Sequence, residues 1–69
     1  MKTIIFAVNA QDAHNACAEH GLVFEEVVWV LNAQLLSGLD IDGARVIYTP
    51  MFQMMPAYAE ASAMFGPAL

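Results

Sequence analysis

Positive charge is nearly absent from this sequence. Lys2 and Arg45 stand against seven carboxylates in 69 residues, and the formal net charge is −5 with both histidines neutral. Binding to a phosphate backbone needs clustered cations, so nucleic acid is not an expected partner. The carboxylates (Asp12, Glu19, Glu25, Glu26, Asp40, Asp42 and Glu60) are scattered, which describes a solvated face rather than an imitation of a DNA backbone. A single cysteine, Cys17, excludes an intramolecular disulfide, and the first residues lack the charged, apolar and small-residue segments of a signal peptide. The expected compartment is therefore the cytoplasm. Apolar runs are short: Glu25 and Glu26 precede Val27 to Leu31, and Asn32 and Gln34 follow, far from the roughly 20 residues of a membrane span.

Glycine is missing where nucleotide chemistry would need it. The first strand-to-helix turn reads Val8-Asn9-Ala10-Gln11-Asp12-Ala13. Dinucleotide fingerprints and P-loops use glycine there so that backbone can approach phosphate, and the Asp12 carboxylate would repel an anion from that helix end. No cofactor is expected. Nor does a nucleophile, base and orienter set emerge, since Ser37 and Ser62 have no assignable histidine, so the chain does not read as an enzyme.

What is abundant is apolar side chain. Hydrophobic residues make up 59% and charged residues 13% of the chain, against the usual ~45–50% and ~25%. Residues 1–69 form one small domain at most, and a domain of this size buries only about 60% of its unfolded surface. Some of the excess is therefore expected to be buried in a homodimer or higher oligomer, or against a partner protein.

Thr3 to Val8, TIIFAV, is a continuous apolar run suited to a strand covered on both faces. Asn9 stands as an N-cap with Asp12 three residues on, which predicts a helix from Ala10 to about His20, ended by Gly21. Its inward stripe would be Ala10, Ala13 and Cys17 with His14 or Ala16, leaving Gln11, Asp12, Asn15 and Glu19 wet. Glu26 to Leu31, EVVWVL, is a second strand, and the βαβ spacing makes the pair parallel. A short helical turn over Ala33 to Ser37, a turn over Asp40 to Gly43 and a third strand from Arg45 to Thr49 follow, with Pro50 closing the strand. Pro56 is read as the first residue of a helix reaching Phe65, with a stripe of Ala57, Tyr58, Ala61, Met64 and Phe65, rather than as a kink in a longer helix from Phe52. Met51 to Met55 remains an apolar connection without a period. The fold class is thus α/β: a miniature Rossmann-like unit of β-α-β-β-α order, with a three-stranded parallel sheet and two principal helices. If both helices pack on one face, the other face needs a second subunit.

Ligands of open parallel sheets bind at the carboxyl ends of the strands, here Asn9, Asn32 and Thr49. These three form the candidate small-molecule or nucleotide-derivative site, with capping as the ordinary reading. His14 with Cys17, or Cys17 with His20, could offer two metal ligands, to be completed by Glu19 or another subunit. No spacing motif supports a metal, and the bland reading is a small core cysteine flanked by helix-border histidines. Asp40-Ile41-Asp42-Gly43 begins like a calcium loop but lacks the distal glutamate, which favours a β-turn. The methionines, with Phe52, Tyr58 and Phe65, make either core filling or an adaptable binding surface. Trp29 points to one sheet face while Val28 and Val30 point to the other. The expected partner-binding residues are Trp29, Met51, Phe52, Met54, Met55 and Phe65, with Leu69 as a lesser contributor.

The stretch from Thr3 to Thr49, TIIFAVNAQDAHNACAEHGL…VVWVL…LLSGLDIDGARVIYT, resembles short Rossmann-like proteins carried by phages and other mobile elements. Strand, helix, second strand and an L-x-G…R-V-I segment run in that order. The resemblance implies a small accessory protein that binds a host protein, and it assigns no functional residue. From the missing glycine loop and missing cations we expect no calorimetric binding of NAD, ATP or duplex DNA tighter than about 100 μM at physiological salt. Tighter binding of any of them would refute that reading.

Overall fold

The computed structural model describes residues 2–38 and 43–68. The turn expected over Asp40 to Gly43, with its calcium-loop alternative, and Leu69 lie wholly or largely outside them. Three strands, β1 (Thr3–Phe6), β2 (Val28–Val30) and β3 (Arg45–Tyr48), form an all-parallel sheet in the order β2-β1-β3. Helix α1 (Ala10–His20) links the first two. After β3 come a short helix α2 (Pro50–Gln53) and then α3 (Ala57–Phe65). Single 3-10 turns occupy Phe24–Glu26 and Ala33–Leu36. The α/β architecture expected from the sequence is the one observed.

Each strand is shorter than its apolar run, for local reasons. Val8 ends the first because its N–H turns to the Asp12 carboxylate rather than to a neighbouring strand. The second starts late because Phe24–Glu26 coil into a turn, with the Val27 N–H bonded to the Phe24 carbonyl. Thr49 leaves the third to cap α2, its hydroxyl oxygen accepting from the Phe52 N–H at 3.1 Å. Pro50 therefore begins a helix as well as ending a strand, at a position where its missing N–H costs nothing.

Strand order decides where the helices go. The chain moves from β1 to β2 on one side and returns past β1 to reach β3 on the other, and connections of one hand then fall on opposite faces of the sheet. On one face α1 packs Ala13, Ala16 and Cys17 against Ile5, Ala7 and Ile47. On the other, the 33–36 turn, α2 and α3 cover Ile4, Phe6 and Val30 with Ala33, Leu36, Phe52 and Ala61. Neither face is bare, so the expectation that an uncovered sheet face demands a second subunit is corrected. The accessible surface of 4418 Å² is close to the roughly 4,250 Å² of a compact monomer of this mass.

The register puts Ile4, Val28 and Val46 in one row and Ile5, Trp29 and Ile47 in the next, so Trp29 and its valine neighbours do face opposite sides. Aromatic residues gather on the α3 face around Phe6, whose ring lies 5.3, 5.2 and 5.8 Å from Tyr48, Phe52 and Phe65. Tyr58 meets Tyr48 edge-on at 5.2 Å. Phe52 is 1% exposed, so the connection without a period carries one of the largest enclosed side chains. Met64, expected on the inward stripe of α3, faces outward.

Helix α1 departs from its expected stripe at both ends. Ala10 and His14 are exposed, whereas Asp12 is buried. The Asp12 Oδ2 atom accepts from the Val8 N–H at 3.1 Å and from the Thr49 hydroxyl at 2.5 Å, and the Asp12 N–H donates to Asn9 Oδ1 at 2.8 Å. Truncating Asp12 would leave the half-buried Val8 N–H and the buried Thr49 hydroxyl without their acceptor, each costing up to about 1–3 kcal/mol. Asp12→Ala is expected to lower stability by about 2–4 kcal/mol in urea denaturation, and Thr49→Val by about 1–2. A loss below about 0.5 kcal/mol for Asp12→Ala would show the network to be dispensable.

Candidate functional site

The carboxyl ends of the strands bring Asn9, Asn32 and Thr49 to one edge of the sheet, as expected, but all three are engaged in capping. Asn9 caps α1, and Asn32 accepts from the Leu35 N–H at 3.2 Å at the start of the 33–36 turn. Thr49 is 2% exposed and caps α2. In a parallel sheet of this order the ligand crevice lies where the connections diverge, beside the carboxyl ends of β1 and β3. Here the Asp12 carboxylate occupies it, bonded to the Val8 N–H and clasped by Thr49. The chain places its own carboxylate where parallel sheets of this order hold a ligand.

The surface around these strand ends is apolar instead. Leu31 follows β2 directly and Leu35 lies in the next turn, while Met51, Met54 and Met55 follow β3; all five are exposed. Met54, at the corner between α2 and α3, is 85% exposed, the most of any large apolar residue among those described. Of the expected partner-binding residues, Met51, Met54 and Met55 are thus on one accessible corner. Phe52, between them in sequence, is enclosed and belongs to the core, while Phe65 is half-buried in the same aromatic cluster. Trp29 is half-buried on the opposite sheet face, beside α1. The structure therefore separates these residues into an exposed methionine corner and two packed regions. Helical spacing explains the split, because residues 51 and 54 share a face from which residue 52 is turned away.

The histidine and cysteine positions on α1 do not converge. Cys17 is buried, whereas His14 is exposed and stacks on Phe24 with ring centroids 3.6 Å apart. Among the described residues no three histidine, cysteine, aspartate or glutamate side chains are grouped to hold a metal ion. The helical period puts Asp12 on the wet side of α1, and the only local signal of its engagement is its N-cap spacing from Asn9.

Two groups titrate away from their ordinary values. Burial, followed by the neighbouring Tyr58, pushes the Tyr48 hydroxyl above 10.0; this hydroxyl donates to the Gly66 carbonyl at 2.8 Å and lies 3.3 Å from that of Ala61. Burial, followed by the charge of Glu25, pushes the Cys17 thiol above 9.0. Both folds of effect favour the protonated form, which makes Cys17 a poor nucleophile.

Comparison with known proteins finds no matching family, curated protein or solved structure.

Because both raised groups hold their protons longer when folded than when unfolded, their contribution to stability is intact below pH 9 and is lost as pH rises through the folded values. Urea midpoints are expected to fall as pH rises above about 9, and less steeply in Tyr48→Phe. An identical alkaline slope in that variant would remove Tyr48 from the account.

Proposed function

We propose that the chain is a small interaction module that works in the cytoplasm by binding another protein, and that the methionine corner of α2 and α3 is its contact surface. The observation that carries this reading is the exposure of Met51, Met54 and Met55 on one corner of a chain whose two sheet faces are already covered. Exposed methionines cost hydrophobic free energy that burial against a partner recovers, and their flexible thioethers let one surface re-pack on differently shaped partners. The resemblance to accessory proteins of phages makes the partner a host protein. A second copy of the chain would meet this corner too, since the sheet itself offers no open face. No described helix is long and apolar enough to cross a membrane, which fits a module that meets its partner in solution.

The double substitution Met54→Ser with Met55→Ser tests the reading. Both side chains are exposed, so thermal stability should change by no more than about 0.5 kcal/mol per site. Self-association by light scattering at micromolar concentration, or capture of a host protein identified from the unmodified chain, should weaken by about tenfold or more. A double mutant that unfolds at every concentration would place these residues in the core. Unchanged assembly and unchanged capture would make the corner idle surface.

A further inference from the structure

β3 is an outer strand, hydrogen-bonded on one side only. Against β1, the Arg45 N–H bonds the Lys2 carbonyl at 2.8 Å and the Thr49 N–H bonds that of Phe6 at 3.1 Å. Alternate residues of a strand turn their backbone groups to opposite sides, so Val46 and Tyr48 turn theirs away from β1. The Gln53 side-chain amide donates to the Tyr48 carbonyl at 3.3 Å and closes that end. The Val46 N–H and C=O and the Tyr48 N–H remain, with no partner among the described residues.

This edge is the floor of a groove of about 670 Å³. His20, at the end of α1, forms a wall from one face of the sheet, and Phe65 to Ala68, at and after the end of α3, form the other. The second wall is pinned: the Tyr48 hydroxyl holds the Gly66 carbonyl, and the Ala68 N–H donates to the Tyr58 hydroxyl at 2.9 Å. β3 is four residues long, about 13 Å at the usual strand rise, which matches a short extended segment.

Charge selects the occupant. The chain carries seven acids and two bases, yet the groove is lined by Arg45 and His20 and by no described acid. The Arg45 side chain is exposed and has no ion-pair partner among the described residues. Edge cations ordinarily discourage strand pairing, and a second copy of β3 would bring only another Arg45 and no carboxylate. An acidic strand removes that penalty.

We propose that the β3 edge is a strand-addition site for an extended acidic peptide segment. The segment's backbone pairs with Val46 and Tyr48, and a carboxylate beside the pairing residues meets Arg45 and His20. The site is separate from the methionine corner and does not depend on the reading of that corner.

The test uses the full isotope-labelled chain and an end-blocked heptapeptide of alternating threonine and valine with one glutamate, alongside its glutamine and lysine counterparts. The glutamate peptide should shift the amide signals of Val46 and Tyr48, and the glutamine peptide should bind roughly two- to fivefold more weakly at low salt. Arg45→Glu should reverse the preference towards the lysine peptide. Val46→Pro, which removes an N–H that the sheet does not use, should abolish the shifts while the circular dichroism spectrum is kept. If Val46→Pro does not fold, the charge reversal at exposed Arg45 still decides. Equal effects of the three peptides, no shift at millimolar peptide, or shifts confined to Met51 through Met55 would overturn the proposal. So would concentration-dependent shifts of Val46 and Tyr48 without peptide, which would identify a second copy as the occupant.

Discussion

The hydrogen bonds received by the Asp12 carboxylate organise the end of this protein where a Rossmann-like unit would normally hold a ligand. One oxygen takes the N–H that leaves β1 and the hydroxyl that follows β3, and the Asp12 backbone in turn is held by the Asn9 cap. Thr49, fixed by that bond, presents its oxygen to the Phe52 N–H and so sets where α2 begins. Phe52 then reaches Phe6 at the centre of the aromatic cluster. A buried polar group must be satisfied to be tolerated, and here each partner satisfies the next.

That arrangement fills the place where the outline of the fold suggests a ligand. Parallel sheets with diverging connections usually keep an opening for substrates between strand ends. Filling the opening with a side chain exchanges a binding site for rigidity in a chain too small to have much stability to spare. The two surfaces proposed for interaction lie at the periphery, where exposed methionines and a strand edge unpaired among the described residues differ in chemistry. One is apolar and deformable; the other offers directional backbone bonds with local positive charge.

Much of the architecture was legible because its signals are local. Asn9, the 10–20 helix and Gly21 at a left-handed φ of 68° follow from capping rules, and the strand positions follow from uninterrupted apolar runs. The parallel arrangement follows from the length of the connections. Three features were not legible in this way. The burial of Asp12 depends on Thr49, far along the chain, which no helical period reveals. The four-residue α2 is too short to show a period, so enclosed Phe52 could not be told from exposed Met51 and Met54. The distribution of helices on two faces depends on strand order, which is a property of pairing rather than of any single segment. For the candidate site, the residues at the strand ends were located correctly, but their role as caps emerges only from the bonds they make.

Placing the first strand at the centre of the sheet also governs when the structure can form. Ile4 pairs with Val28, and Thr3 waits for Arg45, about forty residues later. Every strand contact is therefore long in sequence, and only the helices and the short turns can close from local residues. During synthesis the apolar β1 must remain unpaired on its β3 side until Tyr48 has left the ribosome, and the Asp12 carboxylate must wait for Thr49. Loop-closure entropy makes sheet formation a late and cooperative event, in which β3 and the helices that follow it join together rather than in sequence.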